Sequence, residues 1–227
     1  MVNIYKTAAI SAVITIFVFL AGVWFGMTMQ ETRVNEIKQE YLQMQISWND
    51  IQLQSDIIMS NSLKNEDICQ NVVEKNLKFG DQIYEKGKKI ETYEKRNEFS
   101  EDLETQKREH NLLKLQFWVN LINIKKSCNS NYINVVYFYE DDGGKITKIK
   151  QDKISEILFE LKQEYGQEMM LIPIAKDLDL SSVDTVIAKY KIETFPSVLI
   201  NENILITDVP DKKSLKKIID EELEKQN

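Results

Sequence analysis

The hydrophobic and polar positions of the chain fall into three successive patterns. From Thr7 to Met29 no charged residue occurs. These 23 residues, as a helix rising about 1.5 Å per residue, span roughly 35 Å, which predicts an uncleaved membrane-spanning signal anchor over residues 1–29. Gly22 and Gly26 form a Gly-x-x-x-Gly pair, a spacing that lets two membrane helices approach closely. Beyond the span, Val34, Ile37, Tyr41, Met44, Trp48, Ile51, Ser55 and Ile58 recur at alternating spacings of three and four, a heptad seam. A polar run at 60–67 breaks it. A second helix is expected from about Asp67 to Asn97, with Gly80 and Gly87 seven apart on one face. Ser100 is placed to cap a third helix, whose stripe is Leu103, His110, Leu113, Phe117, Leu121 and Ile124. Residues 30–128 therefore predict a helical stalk, packed as an antiparallel hairpin or small bundle. A parallel coiled coil between two chains along Val34–Ile58 is the alternative.

After residue 128 the period changes. Ile133–Tyr139 and Met169–Ala175 are continuous apolar runs rich in β-branched or aromatic residues, and both predict buried strands. Ser197–Ile200 and Ile204–Thr207, separated by Asn201-Glu-Asn203, predict a hairpin. Helices are expected at Ile154–Tyr165, from Ser181 to Tyr190, and from Ser214 to Glu224. The fold class is α/β (α+β), and the element order of the domain at 129–227 is β-α-β-α-β-β-α.

Composition narrows the chemistry. The formal charge is −7, from 29 basic and 36 acidic residues. It divides into +1 for the anchor, −2 for the stalk (15 basic, 17 acidic) and −6 for the terminal domain (13 basic, 19 acidic). No basic footprint for nucleic acid is present. Two Cys and one His cannot supply a four-ligand Cys/His metal site, and no phosphate-binding glycine motif or nucleophile elbow occurs. No metal, cofactor or catalytic residue is therefore expected. His110, on an apolar stripe, is expected to pack. Lys86, Lys88, Lys89, Lys95 and Arg96 alternate with acids, which predicts a solvated helix face. Asp177-Leu-Asp179 follows a strand and precedes Ser181, where Asp forms turns and caps helices.

The element order and the segment Tyr190-Lys-Ile-Glu-Thr-Phe-Pro-Ser-Val-Leu-Ile200 resemble the thioredoxin-like fold superfamily over about the last 95 residues. The resemblance implies a cis peptide at Phe195–Pro196, the only kind of bond at which cis costs little. It also implies that the loop after the first strand is the active loop. Redox members carry Cys-x-x-Cys there, with a thiolate stabilised by the helix N-terminus. This chain has Glu140-Asp-Asp-Gly-Gly144, so Asp141, Asp142, Gly143 and Gly144 make a degenerate active loop without a thiol. What the resemblance leaves is polypeptide binding beside the proline, by Thr194, Phe195 and Pro196.

Cys69 opens the second helix and Cys128 ends the third, so antiparallel helices bring them together. Outside the cytoplasm an even Cys count suggests a disulfide. Two free thiols and a redox-active pair remain open. The sequence thus predicts a single-pass membrane protein, N-terminus cytoplasmic and bulk extracytoplasmic. Its expected partners are the lipid bilayer, a polypeptide and a second copy of itself through Gly22/Gly26 or the Val34–Ile58 seam. An extracytoplasmic thiol–disulfide oxidoreductase using Cys69 and Cys128, and a coiled-coil assembly factor, are the alternatives.

Overall fold

The computed structural model describes residues 4–60, 66–95, 101–207 and 210–225; side chains are described within these except at 4–9, 26–38, 40, 93, 95, 101 and 102. The elements are α1 (Ile4–Met59), α2 (Glu66–Lys95), α3 (Glu101–Cys128), β1 (Ile133–Tyr139), α4 (Lys145–Tyr165), β2 (Met169–Ala175), α5 (Ser181–Tyr190), β3 (Ser197–Ile200), β4 (Ile204–Ile206) and α6 (Lys212–Glu224), with one 3-10 turn at Gly166–Glu168. The chain divides into two compact units, Met1–Asp50 and Ile51–Asn227.

The first unit is helix throughout its described part. Among the described residues, no helix is long and apolar enough to cross a membrane. This corrects the membrane anchor expected at 1–29. The apolar stretch whose side chains are described runs from 10 to 25. The side chains at 7–9 and 26–29, which completed the expected span, lie outside the described ones, as do those of Gly26, Val34 and Ile37. Nothing lies within 4 Å of a Cβ built on Gly22.

In the second unit α2 and α3 form an antiparallel hairpin. As the α2 residue advances, its α3 partner recedes: Val72 clusters with Ile124, Asn120 Nδ2 donates to Asn76 Oδ1 at 2.9 Å, and Phe79 meets Phe117 edge-on at 5.9 Å. Lys107 Nζ then bonds Glu94 Oε1 at 2.9 Å. The two α2 glycines lie at the contact. A Cβ on Gly80 would sit 3.2 Å from Phe117 Cζ, and one on Gly87 3.1 Å from His110 Nε2. Ile51, Ser55 and Ile58 of the heptad seam are buried, Ile58 in the cluster with Val72 and Ile124.

The sheet order is β2-β1-β3-β4. β1 and β2 are parallel from Ile133↔Met169 to Tyr139↔Ala175, while β3 and β4 join antiparallel, with Phe138↔Ser197 and Val198↔Ile206 in register. Phe195–Pro196 is cis. Alternation along β1 divides the core in two. Ile133, Val135 and Tyr137 face Ile154, Leu158 and Leu161 of α4 and Leu215 and Ile219 of α6. Phe138 faces the other way, edge-on to Trp118 of α3 at 6.1 Å. Trp118 also meets Tyr190 of α5 at 5.6 Å. Helix α3, which its sequence pattern groups with the stalk, therefore lies on the sheet.

One sheet edge is closed by three devices. Lys176 N–H donates to Tyr139 O on β1, so by alternation Met169, Leu171, Pro173 and Ala175 turn their backbone groups outward. Asn111 of α3 takes both groups of Ala175, accepting its N–H at 2.9 Å and donating to its carbonyl at 2.8 Å. Lys162 donates to Met169 O at 2.7 Å, and Pro173 has no N–H to offer. Helix α2 touches α3 on one face of the sheet and, through Tyr84 stacked on Phe159 at 6.4 Å, α4 on the other. It thus crosses the β2 edge, where a further strand would otherwise pair.

Candidate functional site

The C-terminal end of β1 is where the loop Glu140–Gly144 begins and, through the pairing of Phe138 with Ser197, where β3 starts. The loop is pinned from three sides. Gln151 Nε2 donates to Glu140 O at 2.9 Å, and Gln151 Oε1 accepts the Glu140 N–H at 3.3 Å. Asp177 accepts the N–H groups of Asp141 and Asp142 at 2.7 and 2.9 Å. The Asp141 carboxylate pairs with Lys107, which also holds Glu94. Burial acts to lower the Lys107 pKa, but its bonds to Asp141 and Glu94 leave it above the ordinary lysine value. Gly143 is required by space: a Cβ there would lie 3.1 Å from Thr147 Cγ2 and 3.2 Å from both Gln151 Oε1 and Glu140 Cβ. Asp177 of the Asp-x-Asp pair is thus a turn holder, and among the described residues no cluster of three or more metal-ligating side chains forms.

Across from the loop lie the residues expected to bind polypeptide. Thr194 is exposed, Phe195 half-buried and Pro196 buried. The Lys176 ammonium sits 4.5 Å from the centre of the Phe195 ring, a cation–π contact, and bonds Glu140 Oε1 at 2.7 Å. Lys176 therefore ties the loop to the Phe195 side. Ser197 Oγ donates to Thr194 O and fixes the turn into β3.

Behind the loop, α3 carries a buried basic group that sequence pattern missed. Lys114 is 6% exposed, and its Nζ lies 5.8 Å from the Tyr139 ring centre. Burial lowers its pKa to about 7, and the charge of Asp141 opposes the fall. One turn away, His110 covers Gly87; the residue is partly exposed, but its Nδ1 is buried without a partner. Burial, then Lys114 and Lys86, holds His110 well below the ordinary histidine value. Lys86, expected on a solvated face, is 8% exposed. The i, i+4 spacing of His110 and Lys114 was visible in the sequence, but not the Tyr139 and Asp141 they meet.

Cys69 and Cys128 form a disulfide, with Cα atoms 5.4 Å apart, beside Ile58, Val72 and Ile124. Among the described residues there is no free cysteine. Cys128 precedes β1 and the loop follows it; seven residues of strand at about 3.3 Å each hold the two regions more than about 20 Å apart.

No family model and no curated protein matches the chain. Among solved structures it is similar to one titled "Structure of a malarial protein", at 14% identity and a TM-score of 0.32, over 40% of this chain and 98% of that one. It is also similar to oxidised thioredoxin O2 from Arabidopsis thaliana, at 17% identity and a TM-score of 0.33, over 47% and 87% of the two chains.

Proposed function

We propose that this protein is a non-enzymatic polypeptide-binding module whose thioredoxin-like domain has lost thiol chemistry and kept a surface for extended chains. The observation that carries this reading is the pairing of an exposed Thr194 and half-buried Phe195 with a loop held rigid but chemically inert. A disulfide exchanger needs a thiolate at this loop, and Glu140–Gly144 supplies none. An extended segment laid beside Thr194 could pair with its backbone, while the Phe195 ring contributes apolar contact. The Cys69–Cys128 bond supports work in an oxidising compartment, where disulfides persist.

The test is fluorescence anisotropy of a labelled peptide alternating leucine and serine, titrated with the full chain. Binding that weakens at least tenfold in Phe195→Ser supports the proposal; no binding, or binding indifferent to Phe195, overturns it. The half-buried disulfide favours one competing function, thiol–disulfide exchange. Insulin reduction that disappears in Cys69→Ser/Cys128→Ser would establish that function instead.

A further inference from the structure

Helix α4 begins without the side-chain cap and first-turn acid that usually open a helix. Its N-cap is Gly144, which makes no side-chain cap, and its first turn holds no acid. Lysines occupy Lys145 and Lys148, where the positive end of the helix dipole disfavours them. Ile146 is 75% exposed and Ile149 69% exposed, three apart and so on one face. That face lies opposite the one formed by the buried Gln151, Ile154 and Leu158. Lys145, Lys150 and Lys153 flank the isoleucines, also exposed. Among the described residues none of Lys145, Lys148, Lys150 and Lys153 has an ion pair. The same helix is treated differently at its other end, where Glu160 and Glu164 pair with Lys212 and Lys216 of α6. Four lysines against Asp152 within 145–153 also stand out in a domain whose net charge is −6.

We propose that the N-terminal half of α4 is a docking face for an acidic polypeptide segment that interleaves carboxylates with apolar side chains, an inference that rests on the polypeptide-binding role given above. The lysines and the uncapped helix N-terminus call for negative charge, and the isoleucine pair calls for apolar contact between the charges. With a Debye length of about 8 Å at physiological salt, a bound segment feels these lysines more than the net charge of the chain. The face starts at the same loop that borders Thr194 and Phe195, so one extended segment can reach both. An anionic membrane fits less well. Two isoleucines over two turns are a small apolar face for interfacial insertion.

The test uses the full chain and two labelled peptides, one alternating leucine with glutamate and one alternating leucine with serine. Anisotropy is measured for wild type, Ile146→Ser/Ile149→Ser, Lys145→Glu/Lys148→Glu/Lys150→Glu and Phe195→Ser. The five α4 positions all carry exposed side chains, and circular dichroism checks that each variant folds. The proposal expects the glutamate peptide to bind wild type at least tenfold tighter than the serine peptide, with the preference lost in both α4 variants and reduced by salt. Equal binding of the two peptides, lost only in Phe195→Ser, overturns the α4 proposal and leaves the site beside Pro196 standing. Glutamate-peptide binding that needs α4 but not Phe195 overturns the site beside Pro196 and supports the α4 face. Binding of phosphatidylserine vesicles that needs the α4 residues, without any preference between peptides, overturns the proposal in favour of a membrane surface.

Discussion

Single residues carry most of the tension in this molecule. Burial lowers the pKa of Lys114 to about 7 and holds His110 well below the ordinary histidine value. The sign follows from proton counting: between the folded and unfolded pKa values the unfolded chain binds more protons, so stability rises with pH. For Lys114 that window runs from about 7 to about 10.4, and for His110 it lies below about 6.5. The groups facing this cluster are Lys86 of α2, Tyr139 of β1 and Asp141 of the loop. The expected outcome is a melting temperature that climbs from pH 7 to pH 9, with a slope reduced in Lys114→Met; thermal melts across that range check it. Asn111 gives a second prediction at this scale. Asn111→Ala leaves the Ala175 N–H and carbonyl buried without partners, a loss of about 2 kcal/mol or more in chemical denaturation. Neither residue was legible as important beforehand. Lys and Asn on a helix read as polar surface until the strand they meet is known.

At the scale of elements, strands were the most legible parts. Continuous apolar runs at Ile133–Tyr139 and Met169–Ala175 coincide with β1 and β2, because strands buried on both faces need no polar alternation. The start of α4 was the least legible. Its core stripe begins at Ile154, whereas the helix begins at Lys145, since Ile146 and Ile149 face outward and no cap announces the turn. Helix α3 was legible as a helix but not as a layer of the α/β fold, because Trp118 and Asn111 show their partners only in three dimensions. The hairpin of α2 and α3 gives the prediction for this scale. The disulfide closes a loop with a sequence separation of 59. In the chain-entropy model its removal in Cys69→Ser/Cys128→Ser costs about 4 kcal/mol, seen as a lower denaturation midpoint with a steeper slope, because the unlinked unfolded chain exposes more surface. Gly87→Leu should separate the same helices, because a side chain there runs into the His110 ring.

At the largest scale the disulfide and the loop after β1 lie in different regions of the second unit. The cysteines serve as a cross-link between helices, and the loop after β1 is built of Asp141, Asp142 and two glycines tied down by Asp177 and Gln151. That the loop has no thiol was plain from sequence; the tying residues were not, since Asp177 and Gln151 lie 33 and 7 positions from Gly144 and meet the loop only once the sheet and α4 have formed. In the proposed function this end of the sheet binds polypeptide without redox chemistry. Its most direct test is anisotropy of the leucine–serine peptide with wild type, Phe195→Ser and Cys69→Ser/Cys128→Ser, each with and without dithiothreitol. A folded cysteine variant is expected to bind as wild type does, reductant or not, and Phe195→Ser to lose at least tenfold. Binding or turnover that requires the cysteines and ignores Phe195 would contradict it.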